Sequence, residues 1–224
     1  MAKEYPAPWD LVGEGYIILY RFKKKFVNKN EKFIPDFLKG KFIGGFGCIM
    51  LVDYNKSTAG PYQELLYIPG KFDTEYKKLH SITKIYVSTM ESVENGKRNW
   101  GIPKELANFT AKKDAREKTL ETIVIKNDNA EILTITMKKR YCIFPVSTKT
   151  MSFPLIQLHE DKFYFTKFTG LGFGKFAKIV DIKVNKDLFP DIAKAKPLIA
   201  IKVEKFKITF PKARIIDKNN SSLS

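Results

Sequence analysis

Two short segments carry residue types that could do chemistry together. The first is Asn99-Trp100-Gly101-Ile102-Pro103-Lys104-Glu105-Leu106-Ala107-Asn108-Phe109, where a lysine follows a proline among aromatic and aliphatic neighbours. Taking an ammonium out of water penalises its charged form and lowers its pKa. A neutral lysine amine can attack a carbonyl carbon and form an imine. With a free pKa near 10.4, about one lysine in two thousand is neutral at pH 7, a handicap of roughly 4–5 kcal/mol that the surroundings must remove. The second segment is Gly60-Pro61-Tyr62-Gln63-Glu64-Leu65-Leu66-Tyr67-Ile68-Pro69-Gly70, a turn leading into a strand on which Glu64 faces opposite to Leu65. Taken alone, both Lys104 and Glu64 also fit solvated strand positions.

The remaining chemistry-bearing residues give less. His80 and His159 are the only histidines, neither in a recognisable setting, so a histidine-rich metal site is excluded and a Ser-His-Asp triad would have to use one of these two. Cys48 and Cys142 are too few for a disulfide framework and are expected to be reduced, buried thiols. Gly170-Leu171-Gly172-Phe173-Gly174-Lys175 has the spacing of neither phosphate-binding fingerprint and reads as a glycine-rich bend in a strand.

The chain has 224 residues, 44% hydrophobic, 13% aromatic and 29% charged, a balance that fits a folded protein with a large aromatic core. Its net charge of +16 raises nucleic acid, an anionic membrane surface or an acidic substrate as partners. The lysines are nevertheless spread along the chain, with short runs only at Lys23-Lys24-Lys25, Lys112-Lys113 and Lys138-Lys139-Arg140, so they read as solvated surface and no nucleic acid is expected. No apolar signal core opens the sequence and no stretch approaches the ~18 apolar residues of a membrane span, which points to a cytoplasmic protein without a membrane partner.

The elements that must position Lys104 and Glu64 are strands. β-rich runs are expected at 16–22, 42–52, 64–68, 82–89, 106–111, 120–126, 132–138, 141–146, 151–158, 162–168, 176–184 and 198–210, separated by turn signals. The clearest hairpin joins 120–126 to 132–138 through Asn127-Asp128-Asn129. Helical pieces are few, at 31–38, interrupted by Pro35, and at 92–97. The pattern is mostly β, a closed or strongly curved antiparallel barrel with few short helices. One domain over 1–216 and a frayed tail over 217–224 are expected.

In order along its first half, the chain resembles the acetoacetate decarboxylase-like family. Pro6-Ala7-Pro8-Trp9, Gly13-Glu14-Gly15-Tyr16 and Tyr20-Arg21 resemble the family's opening, residues 60–70 its Gly-Pro-Tyr-x-Glu turn, and residues 100–109 the segment built around Pro-Lys. The second half is similar in strand rhythm and in the closing Phe210-Pro211. The resemblance implies a β-barrel-like fold enclosing an apolar pocket, a lysine that takes the substrate carbonyl as an imine, and no cofactor or metal. Lys104 resembles that lysine and Glu64 the acid or base of the pocket. Activation by desolvation or a neighbouring cation is the device of acetoacetate decarboxylase itself.

Three positions depart from the family pattern. Glu105 stands where the decarboxylase proper has a second lysine, a second pocket glutamate falls in the apolar run Cys48-Ile49-Met50-Leu51, and the pocket arginine falls near Gly13. Arg98 and Lys97 remain as nearby candidate cations, and activation of Lys104 then rests on desolvation by Trp100, Ile102 and Tyr67, with Tyr62, Arg98 and Glu105 completing the expected pocket. The resemblance implies a Schiff-base lyase acting on a small β-keto acid or related carbonyl compound, in a homo-oligomer. Two alternatives stay open: an imine-forming aldolase or dehydratase on the same fold, and a non-catalytic protein binding an apolar metabolite.

Overall fold

The computed structural model describes residues 3–150 and 152–218. In chain order its strands are β1 (Trp9–Tyr20), β2 (Phe42–Gly44), β3 (Gly47–Ser57), β4 (Tyr62–Ile68), β5 (Lys71–Asp73), β6 (Lys78–His80), β7 (Lys84–Val87), β8 (Lys104–Leu106), β9 (Asn108–Lys113), β10 (Leu120–Lys126), β11 (Glu131–Ser147), β12 (Leu155–His159), β13 (Lys162–Thr166), β14 (Thr169–Val184), β15 (Ile199–Phe210) and β16 (Arg214–Asp217). The helices are α1 (Lys24–Lys29) and α2 (Met90–Trp100), with three short 3-10 turns.

Ten strands form one sheet in the order β8-β7-β4-β3-β1-β15-β14-β11-β10-β9, and six form a smaller one in the order β16-β13-β12-β6-β5-β2. Pairing is antiparallel except between β7 and β8 and between β12 and β6. The large sheet is strongly curved into a half-barrel. Tyr16 on β1 donates its hydroxyl proton to Glu121 Oε2 on β10 at 2.8 Å, although four inter-strand steps separate the two strands in the sheet order. On a flat sheet those steps would hold them about 19 Å apart. Register shifts at Gly13/Gly15, Lys139/Ile143 and Phe173/Gly174 supply local bends.

Period-two alternation gives the large sheet two apolar faces. On one, Tyr16, Ile18, Ile49, Leu51, Leu65, Tyr67, Ile135 and Met137 pack beneath the curl. On the other, Trp9, Leu11, Tyr54, Tyr62, Leu66, Ile68, Phe206 and Ile208 pack against Trp100 of α2 and Leu155 and Tyr164 of the smaller sheet. Glu64 and Lys104 face this second side.

The structure corrects several boundaries. β1 starts at Trp9, and the run expected at 42–52 is split into β2 and β3. The runs 132–138 and 141–146 are one strand, because Lys138-Lys139-Arg140 stays extended along β14. The helix expected over 31–38 is two 3-10 turns separated at Pro35, whose ring and missing N–H break a continuous helix. Helix α1 lies in the lysine run and has no capping side chain. Met151 lies outside the described residues, and the strand expected from it begins at Leu155. Cys142 is exposed and only Cys48 is buried. Asp217, expected to begin the frayed tail, pairs with Lys162, and residues 219–224 lie outside the described residues.

Candidate active site

Lys104 is the first residue of β8, an edge strand paired in parallel to β7 with Lys104 opposite Ile85. Pro103 before it has no N–H for a ladder, which suits the start of an edge strand. The turn into β8 is set by the end of α2. Gly101 takes the left-handed conformation at φ 64°, and the N–H groups of Gly101 and Ile102 bond back to Lys97 O and Gly96 O. A Cβ on Gly101 would also come within 2.8 Å of the Tyr164 ring. The chain therefore reverses tightly, and Lys104 points back under the helix it has just left.

Helix α2 roofs the amine. Thr89 caps its start by accepting from Ser92 N, and Ser92 and Gly96, four residues apart, share the face above Lys104. Gly96 must be glycine at its present spacing: a Cβ there would lie 2.6 Å from Lys104 Cδ and 2.8 Å from Cε. Asn95 on the same helix bonds the chain start, accepting from Tyr5 N at 2.7 Å and donating to Lys3 O at 2.9 Å.

The amine itself is 3% exposed as a residue. Its Nζ donates to Ser92 Oγ at 2.9 Å and to Glu64 Oε2 at 3.2 Å. The other carboxylate oxygen of Glu64 accepts from Tyr54 Oη at 3.2 Å. The Tyr62 and Trp9 ring centroids lie 5.0 and 5.9 Å from Nζ. Burial is the largest influence on Lys104 and holds its pKa below the ordinary lysine value, while the charge and hydrogen bond of Glu64 act in the opposite direction. Burial, then the Glu64 charge, push the Tyr54 and Tyr62 phenols well above their ordinary value, so both stay protonated donors.

The pair opens onto a cavity of about 520 Å³, its mouth included. Leu66, Ile68, Ile82, Ile85, Phe168 and Ile208 form much of the wall, and Glu64 and Lys104 are its only charged members among the described residues. The indole N–H groups of Trp9 and Trp100 are committed to Tyr5 O and Pro211 O, so both rings offer the cavity apolar surface.

The structure brings five of the sequence-predicted residues together: Lys104, Glu64, Tyr62, Trp100 and Ile102. It places three elsewhere. Tyr67 follows Leu66 on β4, so alternation turns it to the opposite face against Phe22 and Phe189. Glu105 follows Lys104 and is turned away in the same manner, pairing with Lys84 at 2.6 Å. Arg98 sits on the outer side of α2 and pairs with Glu4 at 3.0 Å. Sequence reasoning missed Ser92, Gly96, Tyr54 and Trp9 as neighbours of the amine. The four-residue spacing of Ser92 and Gly96 was the available signal, usable only once the helix was known to cross Lys104.

The site is thus a buried lysine paired with a glutamate at an apolar cavity, on a curved β-rich fold. The chain belongs to the acetoacetate decarboxylase (ADC) family, whose family model matches residues 2–156. Among solved structures it is similar to acetoacetate decarboxylase from Legionella pneumophila, at 13% identity and a TM-score of 0.69 over 94% of this chain and 88% of that one. It is similar to the enduracididine biosynthesis enzyme MppR complexed with pyruvate, at 12% identity and a TM-score of 0.64 over 97% of this chain and 93% of that one. MppR is also described with the condensation product of pyruvate and imidazole 4-carboxaldehyde. An acetoacetate decarboxylase-like enzyme from Sphingomonas wittichii RW1 matches at 10% identity and a TM-score of 0.64 over 94% of this chain and 93% of that one. No curated protein sequence matches the chain.

Proposed function

We propose that the protein is a Schiff-base lyase that decarboxylates a β-keto acid through Lys104. The observation that carries this reading is the Lys104 amine, buried at an apolar cavity with one carboxylate and one hydroxyl as its polar partners. Glu64 takes the ammonium proton, and the free amine attacks the substrate carbonyl. Glu64 gives that proton to the carbinolamine hydroxyl, which leaves as water, and the resulting iminium accepts the electron pair of the breaking carbon–carbon bond as carbon dioxide departs. Glu64 then relays a proton from water to the enamine carbon, and hydrolysis of the remaining imine frees the ketone. A substrate carboxylate meets no free cation among the described cavity residues, and its loss as neutral carbon dioxide is favoured by that apolar wall. The reaction draws on the protein's own amine, with no cofactor in any step.

Borohydride reduction in the presence of a panel of β-keto acids tests the reading. A mass increment on the peptide containing Lys104 is expected, and its absence across the panel overturns the imine step. A second reading keeps the imine and uses it for aldol condensation or dehydration, supported by a cavity without a carboxylate-binding cation and by the condensation product described for MppR. Release of carbon dioxide separates the two. Ligand binding that survives Lys104→Ala, with no turnover, would point instead to a non-catalytic metabolite binder. A homo-oligomer is part of the proposal, supported by the exposed apolar stripe of Tyr141, Ile143, Leu171 and Phe173 on β11 and β14. Sedimentation velocity reads it directly.

A further inference from the structure

The cavity at Lys104 does not end where the chemistry needs it to end. Two more cavities, of about 480 and 700 Å³ with their mouths, lie along the same face of the large sheet. Met50 and Phe168 line all three, and Ile17 and Val146 line the outer two. From Glu64 on β4 to Val146 on β11 the row crosses five inter-strand steps, each of about 4.8 Å.

Among the described residues the outer walls carry no charged one, in a chain that is 29% charged. Their few hydroxyls are already engaged. Thr148 Oγ1 accepts from Gly170 N at 2.9 Å, Ser147 Oγ accepts from Lys149 N at 3.1 Å, and the Tyr16 hydroxyl is turned to Glu121 on the opposite face. The glycine run lets β14 pack closely against Phe206 and Ile208 of β15. Gly170 and Gly172 line the middle cavity, and their alternation on β14 removes two successive side chains from this face. A Cβ on Gly170 would lie 2.7 Å from Ile208 Cγ1, one on Gly172 2.8 Å from Phe206 Cβ, and one on Gly174 2.8 Å from Val146 Cγ2. The run that does not bind phosphate strips this face of β14 down to backbone.

We infer that the substrate carbonyl is borne on a linear apolar acyl chain, as in a medium-chain 3-oxo acid, with its reactive end at Lys104 and its tail along the three cavities past Met50 and Phe168. The inference rests on the imine reading for its reactive end alone. The unbranched thioether of Met50 can move aside for a passing chain. Continuity with the lysine cavity and the lack of charge favour an acyl chain over a polar ligand.

Two measurements on the full chain separate the groove from the imine. Adduct formation at Lys104 is read for 3-oxo acids from four to twelve carbons, and calorimetry reads the affinity of saturated primary alcohols of the same lengths, which form no imine. Both are expected to rise by about fourfold per methylene until the groove is filled. Alcohol affinities that climb without any adduct keep the groove and remove the imine. Adducts that form as well with the four-carbon acid as with longer ones, with flat alcohol affinities, overturn the groove and keep the imine. Val146→Trp, retaining the wild-type circular dichroism, is expected to stop the rise at a shorter chain, and an unaltered length profile overturns the placement of the tail. A flat profile together with a dimer that Val146→Trp dissociates assigns the groove to a second copy of the chain and likewise overturns the inference.

Discussion

Lys104 and Lys202 are built from the same parts on opposite faces of one sheet. Lys202 is 4% exposed and lies 4.5 Å from the Tyr16 ring, 3.2 Å from Glu121 Oε2 and 3.4 Å from Glu14 Oε1. Lys104 is 3% exposed and lies near Tyr62, but it meets one carboxylate, and its second polar partner is a serine hydroxyl. Two carboxylates make Lys202 the centre of an ion network that ties β1 and β15 across to β10 under the curl. With a single carboxylate, Lys104 is left with a desolvation cost that its partners do not fully offset. Burial beside a glutamate is common to both. What distinguishes the candidate nucleophile is the missing second charge and the apolar lining of its cavity, since the cavity at Lys202 is also lined by Glu14, Asp53, Glu64 and Glu121.

The sharpest way to break this comparison is to remove each amine in turn. Lys104→Met is expected to abolish the borohydride adduct completely. Lys202→Met keeps the adduct at Lys104 but strands Glu121, costing about 3–5 kcal/mol in urea denaturation. An adduct mapped to Lys202 would reverse the assignment. Next in size is Glu64→Gln, expected to slow turnover by about 10²–10⁴-fold through loss of proton transfer. Its pH dependence has a definite sign. The wild-type rate of imine formation rises with pH as the ammonium loses its proton, with a midpoint below the ordinary lysine value. Since Glu64 favours the ammonium, its removal moves that midpoint to lower pH. A shift upward would show that Glu64 does not act on the amine.

Gly96→Ala tests the roof. A Cβ placed against the lysine stem displaces the amine, and imine formation is expected to slow by about 10²-fold. Overpacking adds roughly 1–3 kcal/mol of destabilisation, read by thermal unfolding. The smallest effect is expected for Glu105→Lys, which restores the family's lysine pair. The side chain points away from the cavity and meets Lys84, so the change replaces a half-exposed ion pair by two like charges and costs at most about 1 kcal/mol. Trapping at Lys104 should be unaltered, and a gain in rate would place residue 105 inside the site.

The strands legible in the sequence were those bounded by clear turn signals. Residues 120–126, rich in β-branched side chains, end at an Asn-Asp-Asn turn, and the structure keeps those limits. β1 was expected only from Tyr16, whereas the structure starts it at Trp9, with Gly13 and Gly15 permitting close packing of β1 on β3. Helix α1 was hidden in a lysine run with no cap to announce it. For the site, Lys104 and Glu64 were identified by resemblance, since chemistry alone left them as ordinary strand residues. Tyr67 and Glu105 were assigned to the pocket by nearness in sequence, against the alternation that had already separated Glu64 from Leu65. Gly96 was illegible for a different reason: its meaning lies in what passes beneath the helix.

The walls of the lysine cavity come from both ends of the described chain, with Trp9 and Leu11 on β1 and Ile208 and Phe210 on β15, the strand that pairs with it. Trp100 is held by Pro211 O, farther on still. On the ribosome, Lys104 emerges about a hundred residues before those walls exist. Throughout that interval its amine is hydrated and carries an ordinary ammonium charge. In the proposed imine chemistry, the amine therefore gains its reactivity only in the step that completes β15.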